Sequence, residues 1–446
     1  MTRTVLISIA VLGSIGAIAI AQQPIIEVNK AGEKPSIAVP DFRGAGEAQQ
    51  FMSVFNRTLW DELQNSGQLR MVAKGMYPLQ APQQPSDLRR APQTPSLTQW
   101  SSPPANANYL AFGYTAVQNG NLVLFGWLDN TTQPANPQVL GKVYVGMLDQ
   151  AGAIKVARDF ASDILQRFGV KSLAGTKILF VSDRSGHKEI WSMDYDGANQ
   201  KQLTHYGSIT TFPAVSFDST KLACTTFAHG LPQISIFSLE SNRRLPFYNQ
   251  SASMNAASDF MPDNQHILLY STAAGGPSQI YIARTDGSDW RRITHSRSIE
   301  VEPKINPKTG AEIVFVSGRS GPEPQLYRMN VDGADVVRLT NGQGEAVNPS
   351  WNPDGQHIAF AWTRGFEPGS FNIFVMDVAS RETVQLTHGE GRNENPSWAP
   401  DGVHLVYSSR RGRSIQIWTM LANGTGKRQL TTVGNNEKPV WGKAAQ

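Results

Sequence analysis

Histidine and aspartate are the residue types in this sequence with the chemistry for a metal centre or for general acid–base catalysis. Six of the eight histidines recur at two fixed places, either after a Leu-Thr or Ile-Thr pair or before a strand-like run: His205, His295, His388, His266, His357 and His404. Several aspartates recur at turns, where Asp before Gly is turn chemistry: Asp194, Asp196, Asp286, Asp332 and Asp377. A catalytic site would concentrate such side chains, whereas this sequence spreads them. We therefore predict no catalytic residue, no metal site and no cofactor.

The chain has a single cysteine, Cys224, so an intramolecular disulfide, a cysteine-based zinc site and an iron–sulfur cluster are excluded by counting. Cys224 stands in the apolar run LACTTF, which predicts a small buried side chain and no reactive thiol. The G-x-S-x-G, HExxH and G-x-x-x-x-G-K-[ST] motifs are absent. The sequence thus lacks the motifs of the common serine hydrolases, metalloproteases and nucleotide-binding enzymes.

The composition of the chain predicts the kind of secondary structure that positions these residues. The 446 residues are 40% hydrophobic and 17% charged, which predicts a folded chain. The 39 glycines and 27 prolines favour many short strands joined by turns. The formal net charge of only +4 does not indicate a nucleic-acid partner.

The N-terminus has the pattern of an export signal. Residues 1–21 hold one Arg near the start, a weakly apolar stretch and the small-residue pattern Ala19-Ile20-Ala21. Cleavage after Ala21 leaves Gln22 first, with no cysteine there to be acylated. We expect an exported protein in a periplasm-like space, with no membrane span after cleavage and a tail over residues 22–35.

Residues 36–170 predict an α/β or α+β domain. SIAVPDF and LRMVA read as strands on either side of a helix whose apolar residues run from Phe51 to Leu63. Asn119-Gly120 predicts a hairpin, and a final amphipathic helix ends at Gly169. Residues 77–104 are rich in Pro and Gln, which predicts a loop too polar to pack.

Residues 171–446 contain an internal repeat. Its marker is an apolar residue followed by Thr, with Leu245-Pro246 standing in for one copy, and successive gaps of 42, 48, 46, 47 and 44 residues. Each unit reads as four short strands, which predicts an all-β propeller of six blades. Because the region begins at a second strand, KILFVS, and ends at a lone first strand, KPVWGK, we expect the C-terminal strand to close the ring.

Arginines recur in the loop after the second strand of four units: Arg184, Arg319, Arg364 and Arg411. They could form a cationic ring for an acidic partner or pin each loop to its blade, and we favour the structural role.

The order of signal peptide, α/β domain and propeller, together with NPSWNPDGQHIAF-type repeats, resembles the TolB family of the Tol-Pal system. The resemblance covers nearly all of the mature chain. It implies a monomeric, non-enzymatic periplasmic adaptor that binds a Pal-like peptidoglycan-associated lipoprotein and supports outer-membrane integrity and cell division. It also implies that an N-terminal tail engages a TolA-like inner-membrane protein. The tail residues in this sequence are Gln22, Ile25, Ile26 and Val28.

The same resemblance places partner binding at the mouth of the propeller, on the loops that join one blade's last strand to the next blade's first. The residues carried over are Thr211, Phe212, Asn255, Glu302, Glu345, Asn348, Arg392, Asn393, Glu394, Asn395 and Lys438. Three alternatives stay open: these loops are merely solvated, the chain is a secreted propeller hydrolase or lactonase acting in the central channel, or the propeller binds a glycan.

Overall fold

The fold is described from a computed structural model, which covers residues 34–89, 93, 95–364 and 369–442. The predicted signal peptide and the tail residues Gln22, Ile25, Ile26 and Val28 lie outside the described residues. Within the described ranges, no helix is both long and apolar enough to cross a membrane.

The N-terminal domain is a mixed sheet covered on one side by two helices. Its strands are β1 (Ser36–Ala38), β2 (Arg43–Gly44), β3 (Arg70–Met71), β4 (Tyr109–Gln118), β5 (Asn121–Asn130) and β6 (Gln138–Met147). Its helices are α1 (Met52–Asn65), α2 (Leu97–Ser101) and α3 (Gln150–Arg167), with 3₁₀ turns at Gly46–Phe51, Lys74–Met76 and Pro85–Asp87. The strand order is β3-β1-β4-β5-β6, and β2 pairs with β4.

Local sequence explains these elements. Strands β1 and β3 pair in parallel across α1, which confirms the predicted strand–helix–strand unit. Asn119 and Gly120 take φ values of 51° and 74° between β4 and β5, the left-handed pair that a two-residue hairpin requires. Helix α3 begins where Asp149 accepts a hydrogen bond from the Gly152 N–H, and it is followed by Gly169 at φ 72°.

The prediction that residues 77–104 do not pack is wrong for part of this segment. Its C-terminal part forms α2, whose first turn has a Ser96–Gln99 capping box. Leu97 and Trp100, three residues apart, lie on the same side of the helix, and Trp100 is fully buried against the sheet with its ring 5.3 Å from that of Tyr77. Tyr77 of the same segment also packs against this cluster, so several apolar side chains hold the polar segment to the sheet.

The remaining strands form six four-stranded antiparallel sheets, which confirms the predicted propeller. We number the blades by their inner strands. Blade 1 is β10 (Thr210–Val215), β11 (Lys221–Thr226), β12 (Gln233–Ser238) and β13 (Arg243–Leu245). Blade 2 is β14 (Asn255–Phe260), β15 (His266–Ser271), β16 (Gln279–Arg284) and β17 (Arg291–Arg292). Blade 3 is β18 (Glu300–Ile305), β19 (Glu312–Ser317), β20 (Gln325–Asn330) and β21 (Val337–Arg338).

The other three blades repeat this order. Blade 4 is β22 (Ala346–Trp351), β23 (His357–Trp362), β24 (Asn372–Asp377) and β25 (Thr383–Gln385). Blade 5 is β26 (Arg392–Trp398), β27 (His404–Arg411), β28 (Ser414–Leu421) and β29 (Arg428–Gln429). Blade 6 is β7 (Lys177–Ser182), β8 (Glu189–Asp194) and β9 (Lys201–Gln202), completed by β30 (Asn436–Trp441). Because β30 pairs antiparallel with β7, the C-terminal strand closes the ring as predicted.

The recurring arginines pin loops. Arg184 donates to Gln200 and, at 2.8 Å, to Asn436 Oδ1 of the closing strand, while its guanidinium lies 4.7 Å from the centre of the Trp191 ring. The other three stack on aromatic rings of their own blades in the same way: Arg319 on Tyr327, Arg364 on Trp362 and Arg411 on Trp418. Each guanidinium is thus held by its own blade, which supports the structural role.

Candidate functional site at the propeller channel

The two faces of the propeller are distinct. Since the strands of each blade are antiparallel, the loops between blades and those joining second to third strands share one face, which we call the mouth face. The N-terminal domain contacts the opposite face. There Arg158 donates to Asp196 at 3.1 Å, and the Asn65 main-chain oxygen lies 2.9 Å from His404 Nε2. The mouth face is therefore the one not used by these domain contacts.

Each inner strand carries a β-bulge close to its start on the mouth face. In five blades the bulged residue precedes a proline and has a φ between 51° and 54°: Phe212, Glu302, Asn348, Asn395 and Lys438. Proline has no N–H, so the unpaired position leaves no donor without a partner. Blade 2 differs, because Ser258-Asp259 stands at its bulge without proline.

These five residues line one cavity along the propeller axis, of about 180 Å³. Its walls also include the repeated tryptophans Trp351, Trp398 and Trp441 and the prolines of four of the five X-Pro bulges. A space of this size holds a few water molecules or one protruding side chain and not a folded element. Five of the eleven predicted mouth residues thus meet at one site.

A chain of hydrogen bonds runs along one side of the channel. Glu302 accepts from the Asn348 main-chain N–H at 2.8 Å and from its side-chain amide at 3.0 and 3.1 Å. The Asn348 amide oxygen in turn accepts from the Asn395 N–H at 3.2 Å. Each bulged residue therefore positions the next one, from blade 3 to blade 5.

The other side of the channel is different in character. The Lys438 ammonium lies 4.5 Å from the centre of the Phe212 ring, a cation–π contact across the junction of blades 6 and 1. A second lysine of the cavity, Lys304, donates to the main-chain oxygen of Ser258.

Several predicted residues are not part of the cavity lining. Thr211, Asn255 and Asn393 are buried within the blades, with 7%, 1% and 0% of their surface exposed, which corrects their placement as exposed mouth residues. Asn255, for example, accepts from Ser271 at 2.6 Å and donates to the Gln250 main-chain oxygen at 2.7 Å, so its amide is used inside its own blade. Alternation of side chains along the strand explains these positions.

The remaining predicted residues lie at the rim. Arg392 and Glu394 form a bidentate pair at 2.6 and 2.9 Å, and this pair raises the pKa of Arg392. Glu345 immediately precedes the first strand of blade 4. It is half-buried, and its N–H donates to Thr363 Oγ1 at 2.8 Å.

Sequence reasoning missed the apolar part of the mouth face. Ile209, Ile299 and Val433 are 49%, 57% and 60% exposed in the loops that lead into the inner strands of blades 1, 3 and 6. Each stands three to five residues before a bulged X-Pro pair, a spacing that could have identified them. These exposed apolar side chains are available for contact with a protein partner on the mouth face.

The histidines do not form a metal site among the described residues, where no three His, Cys, Asp or Glu side chains form a group that could bind a metal ion. His266, His357 and His404 each share a short contact with the aspartate three residues earlier, at 2.6, 2.7 and 2.6 Å. The repeated pattern therefore stabilises a turn. Cys224 is fully buried, as predicted, and burial raises the pKa of its thiol.

Comparison with known proteins agrees with this geometry. Residues 165–445 match the family model of the TolB beta propeller domain. The chain belongs to this family. It is 35% identical to a protein TolB homolog of Chlorobium luteolum over 182 residues, which are 41% of this chain and 40% of that protein. It is 36% identical over 160 residues to a Tol-Pal system protein TolB of Desulfosudis oleivorans, 35% of each chain.

These alignments span less than half the length of the curated TolB relatives. The crystal structure of TolB from Acinetobacter baumannii superimposes with a TM-score of 0.75 over 92% of this chain and 97% of that one. At 20% sequence identity, this likeness shows a shared fold that includes the N-terminal domain.

Proposed function

We propose that this protein is the TolB-type adaptor of a Tol-Pal-type complex in the periplasm, and that its channel mouth binds a Pal-like peptidoglycan-associated lipoprotein. Membership of the TolB propeller family supports this proposal, as do relatives named Tol-Pal system proteins. In this role the protein supports outer-membrane integrity and cell division. A TolA-like inner-membrane protein is a further proposed partner of the tail residues Gln22, Ile25, Ile26 and Val28.

The observation that carries the proposal is the asymmetry of the two propeller faces. One face contacts the N-terminal domain, whereas the mouth face combines a channel sized for a single side chain with exposed Ile209, Ile299 and Val433. A channel lined by hydrogen-bonding groups, with exposed apolar side chains on the same face, fits a protein partner that inserts one protruding group.

The alternative of a hydrolase or lactonase acting in the channel has weaker support. A general acid or base must reach a proton of the substrate. The Glu302 carboxylate is instead engaged by the main chain and the amide of Asn348. We therefore propose no enzymatic activity for this channel.

Calorimetric titration with the soluble domain of the Pal-like lipoprotein from the same organism tests the proposal. We expect saturable binding that Asn348→Ala weakens at least about tenfold, because a central interface position with buried hydrogen bonds is altered. Asn264→Ala is a matched control, since Asn264 also has a positive φ, 55°, but lies in a turn on the opposite face. Absence of binding by folded wild-type protein, or equal loss in both variants, would contradict the proposed site.

A further inference from the structure

The six bulge positions form a ring of unequal chemistry. Neighbouring inner strands contact one another in the order β10, β14, β18, β22, β26 and β30, and β30 returns to β10. Blades 3 and 6 are three steps apart in this ring of six, so Glu302 and Lys438 stand on opposite sides of the same cavity. Blade 3 also contributes Lys304 and blade 2 contributes Asp259, whereas Lys438 is the charged residue that blade 6 contributes to the lining.

The Glu302 carboxylate side of the channel is internally satisfied. Both carboxylate oxygens of Glu302 accept hydrogen bonds from Asn348, which in turn accepts from Asn395. The negative charge on this side is thus fixed in position by two neighbouring blades and stabilised by donors.

The Lys438 side of the channel is not satisfied in the same way. Among the described residues, Lys438 has no carboxylate within ion-pair distance and donates no hydrogen bond, and its ammonium rests on the Phe212 ring. Lys304, the other lysine of the cavity, is already bound to the Ser258 main-chain oxygen. Lys438 is consequently a cation of the channel that is free to meet an incoming anion.

We propose that Lys438, held over Phe212, anchors a carboxylate side chain of the protein that enters the channel mouth. The cavity admits about one side chain, so the ligand is an Asp or Glu on a protruding segment. The apolar side chains Ile299 and Val433 at the rim fit apolar residues beside that acid.

This inference rests on the proposed function and identifies the chemical group of the partner, a carboxylate, that the site binds. A partly desolvated ammonium over an aromatic ring pairs more strongly with a carboxylate than a solvated lysine does. The cation–π contact also restrains the lysine before binding, so less side-chain entropy is lost.

The test uses the full mature chain, with the soluble domain of the Pal-like lipoprotein as the probe in calorimetry. We expect Lys438→Met to weaken binding about tenfold or more and Lys438→Arg to retain most of it, because the charge is kept. Lys201→Met is the matched control: Lys201 is an exposed lysine on β9 of the same blade, outside the cavity, and its loss changes net charge equally. Binding by the Lys438→Met variant should also depend less on salt.

A second arm identifies the carboxylate. Each Asp and Glu of the probe is changed in turn to its amide, and a double-mutant cycle with Lys438→Met should show strong coupling for one position only. Matched thermal unfolding of the variants establishes that they are folded.

The outcomes separate the two proposals. If wild type binds and Lys438→Met behaves like Lys201→Met, or if no acid of the probe couples to Lys438, this inference is overturned and the proposed function stands. If folded wild type does not bind the lipoprotein domain, the proposed function fails first.

Discussion

The Nε2 atom of His404 lies 2.9 Å from the main-chain oxygen of Asn65, the last residue of α1. The Nδ1 atom of the same ring lies 2.6 Å from Asp401 Oδ2. A carbonyl oxygen and a carboxylate only accept hydrogen bonds, so the imidazolium form satisfies both contacts. A cation at a helix C-terminus is also favoured by the helix dipole. One propeller side chain thereby fastens the N-terminal domain.

We expect His404→Ala to lower the free energy of unfolding by about 1–2 kcal/mol, through the lost cap and hydrogen bonds. His266→Ala is the matched control, because His266 makes the same contact with Asp263 in a turn of blade 2. Calorimetric unfolding of both variants measures the difference. Equal effects of the two substitutions would refute the fastening role.

The domain boundary also holds a buried ion pair between Arg158 and Glu62, whose nearest atoms are 2.9 Å apart. We expect Arg158→Met to destabilise the protein by about 3–5 kcal/mol, because it leaves the Glu62 carboxylate buried without its cationic partner. The double variant Arg158→Met, Glu62→Gln should recover much of this loss, as chemical denaturation can measure. Additive losses in the double variant would show that the two side chains act independently.

Burial raises the pKa of Glu62, so folding favours its protonated form. A group whose pKa is raised on folding stabilises the fold at low pH, and this contribution is lost as pH rises through the folded pKa. The Arg158 charge holds this pKa down, so its removal raises the pKa of Glu62 further, and the stability of Arg158→Met relative to wild type should fall as pH rises from acid to neutral. If the difference in free energy of unfolding between Arg158→Met and wild type did not change with pH, an ionised Glu62 would not be its cause.

Asp129, on β5, is 3% exposed, and its Oδ1 has no hydrogen-bond partner in the described part of the chain. Burial raises the pKa of Asp129 to about 6. Its contribution to stability is present below the unfolded value and lost as pH rises through about 6. Asp129→Asn should therefore raise the free energy of unfolding at neutral pH by about 1–2 kcal/mol and flatten its pH dependence. Denaturant unfolding across this pH range checks both effects, and a less stable variant at neutral pH would refute the argument.

Ring closure depends on Trp441 at the end of β30. Trp441 is buried, and its Nε1 donates to Thr176 Oγ1 at 3.0 Å. We expect Trp441→Ala to cost about 3–5 kcal/mol, from lost packing in the closing blade. Thr176→Val removes only the hydrogen bond and should cost about 1–2 kcal/mol. Calorimetry should show a larger loss of stability for Trp441→Ala than for Thr176→Val. Equal small losses would show that ring closure depends on the main-chain pairing alone.

The propeller could be predicted because its information is repeated. The apolar-Thr marker and the turn sequences occur many times, so one irregular copy such as Leu245-Pro246 did not obscure the period. The partner strand for KPVWGK followed from the order of the ends. In contrast, the burial of Trp100 depends on a few apolar residues in a polar segment, and the average composition of that segment does not show them.

The channel lining was only partly predictable for a geometric reason. Phe212 and Lys438 lie in the cavity because the bulge turns them there, whereas Thr211, the immediate neighbour of Phe212, is buried in its blade. A strand pattern alone does not show which residue a bulge redirects. In blade 2, Asn255 stands before a bulge that lacks proline, so the X-Pro pattern offered no guide there.

The central claim is that a Pal-like lipoprotein binds the mouth face, and photo-crosslinking from two matched apolar positions tests it most directly. A photoreactive residue replaces either Ile299, 57% exposed on the mouth face, or Val336, 38% exposed in a turn on the opposite face. Each full-length protein is irradiated with the soluble domain of the lipoprotein. We predict a cross-linked product from position 299 and none from position 336. A product from position 336, or none from either folded protein, would contradict the account.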